Sequence, residues 1–196
     1  MISAIENRRS IRKYQDREVP KELLEKIIRA GIQAPSSKNR QPWKFIVATG
    51  KAKQESLEVM KRGLEREKTE PLLTASAQFL GGAEYTLRIM AEAPAIIYIV
   101  NTLGSDVEAA ADADTRIFDI CNAQSIGAAI ENMTLAATEL GLGSLWICDT
   151  YFAYRELCGW LQEDGTLAAA LAVGYADEVP ASRPRKTLDE TVVWRE

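Results

Sequence analysis

Ala34-Pro35-Ser36-Ser37-Lys38-Asn39-Arg40-Gln41-Pro42-Trp43 stands between a patterned helix ending near Ile32 and an apolar strand beginning at Trp43. Pro35 and Pro42 bias the residues before them away from the helical region, so the backbone runs extended or turned and its donors stay free. Ser36, Ser37, Asn39 and Gln41 can then line a wall against a ligand rich in acceptors and donors. The plainer reading is a polar connection that caps the next strand.

Upstream of this stretch, Pro20 opens a helix whose buried stripe is Leu23, Leu24, Ile27, Ile28 and Ile32, with Glu25 and Arg29 paired four apart outside. Downstream, Trp43 to Thr49 forms a strand stopped by Gly50, and Lys51 to about Arg66 an exposed helix striped by Leu57, Met60 and Leu64. Pro71 interrupts. The stretch from there to Met90 is weakly helical around Gly81-Gly82, a pair of the kind that marks a mobile cover over a site. Ala95 to Val100 is apolar on both faces, which makes it a central strand with helices on either side. After the acidic loop Ser105 to Asp114, a helix from about Thr115 to Leu140 has no strongly charged face, so part of its cover is expected from a second subunit. Strands at Ser144 to Asp149 and Leu167 to Tyr175, with a short helix at Ala153 to Leu161 between them, complete the core. The tail ends in apolar Val192-Val193-Trp194, which needs a groove.

The chain has 196 residues, 46% of them apolar and 27% charged, which suits one domain over 1–196 with its own core. A net charge of −4 argues against nucleic acid or an anionic membrane as partner, and no apolar run approaches the roughly 20 residues that cross a bilayer. The N-terminus lacks a signal-peptide core, and the chain is expected to be cytoplasmic. Without any histidine, and with Cys121, Cys148 and Cys158 outside metal-type spacing, histidine triads and most zinc sites are excluded and no metal is expected. Against this acidic background Arg8, Arg9, Arg12, Lys13 and Arg17 crowd together after a short helix over Met1 to Asn7. If Ile11 points into the core, Arg8, Ser10 and Arg12 share the opposite face, a donor set that suits a phosphate. The alternative is a solvated surface paired to Asp16 and Glu18.

Arg8-Arg9-Ser10-Ile11-Arg12 and Pro35-Ser36-Ser37-x-Asn39-x-Gln41-Pro42-Trp43 together resemble the two opening motifs of the nitroreductase family of FMN-dependent oxidoreductases. The run from Asn132 through Gly143 into Leu145-Trp146-Ile147 is similar to the family too, as is Gly174-Tyr175 followed by Arg183-x-Arg185-Lys186. The resemblance implies an α+β fold with a central, mostly antiparallel sheet flanked by helices, in a homodimer with a domain-swapped C-terminal arm. It implies FMN at the subunit interface, with Arg8, Arg9, Ser10, Arg12, Arg183 and Arg185 toward the phosphate and ribityl chain. Pro35, Ser36, Ser37, Asn39 and Gln41 would contact the flavin, and Ile147 and Cys148 would lie beside its ring. NAD(P)H would supply hydride to nitroaromatics, quinones or related acceptors by a ping-pong mechanism, with the chemistry carried by FMN and no catalytic side chain. Enone reduction, dehalogenation and a flavin-storage role are the alternatives the resemblance leaves open.

Overall fold

The strand β2 (Ala95–Asn101) is buried along its whole length, and the fold is stacked against it. The computed structural model describes residues 2–196. β2 pairs antiparallel with β1 (Trp43–Thr49) on one side and with β4 (Thr166–Gly174) on the other, and β3 (Gly143–Ile147) closes the four-stranded sheet in the order β1-β2-β4-β3. All three pairings are antiparallel.

Alternation along β2 explains the layers. Ile96 and Tyr98 face a core shared with α3 (Gly50–Thr69), α4 (Leu80–Glu92) and α6 (Tyr154–Leu161). Ala95, Ile97 and Ile99 face a second core with α2 (Lys21–Ile32) and α5 (Ala113–Glu139). Each such isoleucine, fully buried, contributes about 1.5–3 kcal/mol. A short α1 (Ser3–Asn7) packs on α5, and α7 (Leu188–Thr191) interrupts an otherwise extended tail.

The structure revises several expectations. Glu25 pairs with Lys21, at 3.7 Å, and not with Arg29. Ile32, the last residue of α2, is exposed and lies outside the buried stripe. The helix that begins at Gly50 runs on to Thr69, with Glu67 continuing its buried face beyond the stripe read from Leu57, Met60 and Leu64. β3 stops at Ile147 because Cys148 takes a helical conformation and opens a 3-10 turn over Asp149–Ala153. α5 is buried only in part. Asn122, Ser125 and Ile126 begin its covered length, whereas Ile117, Phe118 and Ile120 stay exposed at 59%, 45% and 51%.

Candidate active site

Ile11 fastens the N-terminal segment to the sheet. Its buried side chain lies over Gly143, where any Cβ would come within 2.7 Å of it, so only glycine lets the two backbones approach. The Ile11 N–H donates to the Ser144 carbonyl at 3.0 Å, and the Tyr14 hydroxyl donates to the Ile11 carbonyl at 3.0 Å. Burial, with Glu178 nearby, holds the Tyr14 phenol well above its usual pKa, so it keeps its donating proton at physiological pH. With Ile11 inward, Ser10 and Arg12 turn outward.

A cavity of about 310 Å³ opens there, lined by Arg8, Arg9, Ser10 and Arg12 and, from the tail, by Ser182, Arg183 and Arg185. The guanidinium groups are spent mostly on neutral acceptors. Arg9 donates to the carbonyls of Glu6 and Arg8 at 2.7 and 2.8 Å, and Arg12 to that of Ser10 at 3.2 Å. Arg185 donates to the carbonyls of Arg183 and Pro184 at 3.4 and 3.3 Å. Among the described residues, the Arg8 guanidinium alone of the five forms an ion pair, with Glu131 at 3.7 Å, and neither Asp16 nor Glu18 neutralises the cluster. The lining itself holds one acid, Glu6. Five positive charges therefore converge on a space that suits a dianionic phosphate ester.

The second motif lies elsewhere on the chain. Residues Ser37–Asn39 form a single 3-10 turn against α5, where the Ser37 N–H donates to Ser125 Oγ at 3.2 Å. Ser36 Oγ accepts from the Gln41 N–H at 3.0 Å, and Arg40 lies 4.6 Å from the centre of the Phe118 ring. Lys38, Asn39 and Gln41 all adopt left-handed φ, at 53°, 53° and 49°. For non-glycine residues that conformation costs about 1–3 kcal/mol each, and such strain collects where side chains are being aimed. Pro35, Asn39 and Gln41 are exposed, Ser36 and Ser37 half-buried, and none of them lines the anion cavity. A turn with this much left-handed backbone has no glycine to announce it.

Ile147 is buried in the core, so only its backbone is available to a ligand, while Cys148 is exposed at the end of β3. Partial burial and then the charge of Asp149 raise the Cys148 thiol above its ordinary 9.0, which keeps it protonated near neutrality. Sequence reasoning passed over Ser182 and Thr86 near these sites, and read Trp146 only as part of the run Leu145-Trp146-Ile147. Ser182 adds a hydroxyl to the anion cavity. Trp146 lies across Gly127 of α5, within 3.6 Å of where a Cβ would stand. Thr86 of α4 donates to the Asp149 carboxylate and so ties the stretch after Pro71 to the end of β3. Of the two passed over, Ser182 alone carried a signal, its place one residue before Arg183.

The model of the nitroreductase family matches residues 5–175. The chain belongs to the nitroreductase family. The chain is 31% identical, over 183 residues, to a protein of Archaeoglobus fulgidus assigned as an NADH dehydrogenase/NAD(P)H nitroreductase, with 89% of this chain and 84% of that one covered. It superposes on a BluB-like flavoprotein from Clostridium difficile 630 with a TM-score of 0.80 at 26% identity, over 98% of this chain and 97% of the other. A protein from Desulfovibrio desulfuricans assigned as a nitroreductase, solved in complex with FMN, is 28% identical with a TM-score of 0.72, over 100% and 96% of the two chains. No helix among the described residues is long and apolar enough to cross a membrane.

Proposed function

We propose that this chain is an FMN-dependent oxidoreductase that carries hydride from NADH or NADPH to quinones, nitroaromatics or related electron-poor acceptors, working as a homodimer. The observation that carries the reading is the cavity where five guanidinium groups and Ser10 meet almost without acid partners. Its donor set fits the phosphate end of FMN, with Arg8 and Arg12 on one wall and Arg183 and Arg185 on the other. When bound, FMN accepts hydride from the nicotinamide and delivers it to the acceptor. The chain's own part is to hold and orient. The arginines fix the phosphate, and the outward face at Cys148 offers a border for a flat ring, with the buried Ile147 behind it.

A second copy is needed for the rest of the contacts. The Ser36–Gln41 turn is displayed on the surface beside Phe118, away from the anion cavity of its own chain. This favours a flavin bound between copies, its phosphate on one and its ring against the turn of the other. The apolar residues Ile117, Phe118 and Ile120 then gain a cover. The edge of β1 is free of a further strand, and beside it lies a groove of about 540 Å³ lined by Val19, Leu24, Ile28 and Val47. That groove suits the tail of a second copy, whose Val193 and Trp194 are 84% and 78% exposed in the single chain.

The experiment is anaerobic mixing of the FMN-loaded protein with NADH or NADPH, followed by addition of a quinone or nitroaromatic. Loss of the yellow colour, its return on addition of acceptor, and parallel double-reciprocal plots in steady state are expected. A flavin that stays yellow with either nicotinamide overturns the reductase reading. Light scattering should give about twice the 21.7 kDa chain mass, and a folded monomer would overturn the shared site.

A further inference from the structure

Glu178 places a carboxylate where electrostatics alone would not, close behind a cavity built for an anion. After β4 the chain doubles back along the N-terminal segment. The Gln15 N–H donates to the Tyr175 carbonyl and the Asp177 N–H to the Lys13 carbonyl, both at 2.9 Å, and the Gln15 side-chain amide donates to the Ala176 carbonyl at 3.0 Å. The next rung is a side chain. Glu178 Oε1 accepts from the Arg12 N–H and, at 3.2 Å, from the Lys13 N–H. Two residues later Pro180, which has no N–H to extend the ladder, joins the wall of the cavity and leads to Arg183 and Arg185. Glu178 does not itself line that cavity. It lines a separate space of about 180 Å³ with Ile11 and Pro180.

Among the described residues, Glu178 is thus the last hydrogen-bonded attachment between the two pieces of chain whose arginines meet: Arg8 to Arg12 before it, Arg183 to Arg185 after it. A serine or alanine here would leave two amides without this partner and the tail free to swing. A negative charge beside a bound phosphate works against binding, so what the site gains from Glu178 is length and direction. Resting on the FMN reading above, we infer that Glu178 is a positioning residue for the phosphate end of the cofactor, and that it acts through its reach and not through its charge.

Full-length E178Q, E178D and E178A separate the two properties, since glutamine keeps the reach without the charge and aspartate keeps the charge without the reach. Dissociation constants for FMN and for riboflavin are measured for each, along with the rise in melting temperature produced by inorganic phosphate. E178Q should bind FMN as tightly as the parent protein or more tightly. E178D and E178A should weaken FMN about tenfold, the cost of one charge-assisted contact, while riboflavin binding stays level. The phosphate-induced stabilisation should survive in E178Q and fall in the other two. Tight binding by E178D with weak binding by E178Q would show that charge is what matters and overturn the inference. Parallel loss of FMN and riboflavin would do the same, since it marks a general structural role. Should E178A fail to fold, the glutamine and aspartate variants decide. Should the parent protein bind no flavin, the FMN reading falls, and the phosphate measurement alone still sustains or overturns the role of Glu178.

Discussion

The anion cavity and the stretch from Glu65 to Glu92 are fastened by opposite means. At the cavity, the Ile11 N–H, the Tyr14 hydroxyl and the Glu178 carboxylate, all bonded to the backbone, hold the chain, while the guanidinium groups line open space. In the other stretch the charged side chains themselves are the fastenings. Glu67, buried, accepts from the N–H groups of Leu72 and Leu73 at 3.0 and 2.8 Å and from Arg66 at 2.7 Å. Arg66 continues to Glu156 of α6 at 2.7 Å. At the far end the ammonium of Lys53 donates to the carbonyls of Ala91 and Ala93 at 2.9 and 2.8 Å, holding the last turn of α4. Between the clamps lie the exposed Phe79 and two glycines at 81 and 82. Charge left unpaired marks where a ligand is to be held; charge buried and paired marks where the chain holds itself.

The sharpest way to break this comparison is Glu67→Ala. It strands two amides and half-unpairs Arg66, so unfolding experiments should show a loss of about 3 kcal/mol. A change near zero would mean that the clamp is ornamental. Its pH dependence gives a second reading. Burial alone would raise the Glu67 carboxyl, but the Leu73 and Leu72 amides and Arg66 outweigh it, leaving the group below its ordinary 4.5. Its stabilisation is therefore complete above that value and disappears as pH falls through the lower folded value, and the variant should lose this part of the acid limb.

At the cavity, Arg12→Ala should weaken FMN by about 1.5–3 kcal/mol, with the melting temperature of the flavin-free protein nearly unchanged. A large stability loss instead would place Arg12 with the structural charges. The smallest effect belongs to the glycines. Gly81 and Gly82 have open space where a Cβ would stand, and neither has positive φ. Replacing either with alanine should stabilise α4 by about 0.5–1 kcal/mol, read as slower amide exchange in its first turn. Destabilisation would reveal a contact that the glycines protect.

The same contrast explains what the sequence made legible. The strands were readable because β2 is apolar on both faces and β1 is bounded by Pro42 and Gly50, both local signals. The Arg8–Arg12 face was readable because alternation around a single buried isoleucine suffices to place it, and Arg183 and Arg185 came with the family resemblance. The region after Pro71 was readable as weakly helical, which α4 bears out, but its fastenings were not, because Glu67, Lys53 and the Thr86–Asp149 contact act across distances in sequence that no local pattern records. The left-handed backbone at Lys38, Asn39 and Gln41 was hidden for another reason: those side chains normally signal an ordinary polar turn.

α5 has a consequence of its own. Its 27 residues make a rod of about 40 Å, and along it are set Phe118 under Arg40, Ser125 against Ser37 and Glu131 beside Arg8. The rod works as a ruler: it fixes how far the polar turn stands from the arginine cluster, and at what angle around the axis. One inserted residue would move everything beyond it by about 1.5 Å and rotate it by about 100°. Changes of length are therefore barred from α5, and the loop before it, at 102–112, is itself tied to the rod: the Ser105 N–H and hydroxyl donate to the Asp119 carboxylate, and the Asn122 side-chain amide donates to the Leu103 carbonyl.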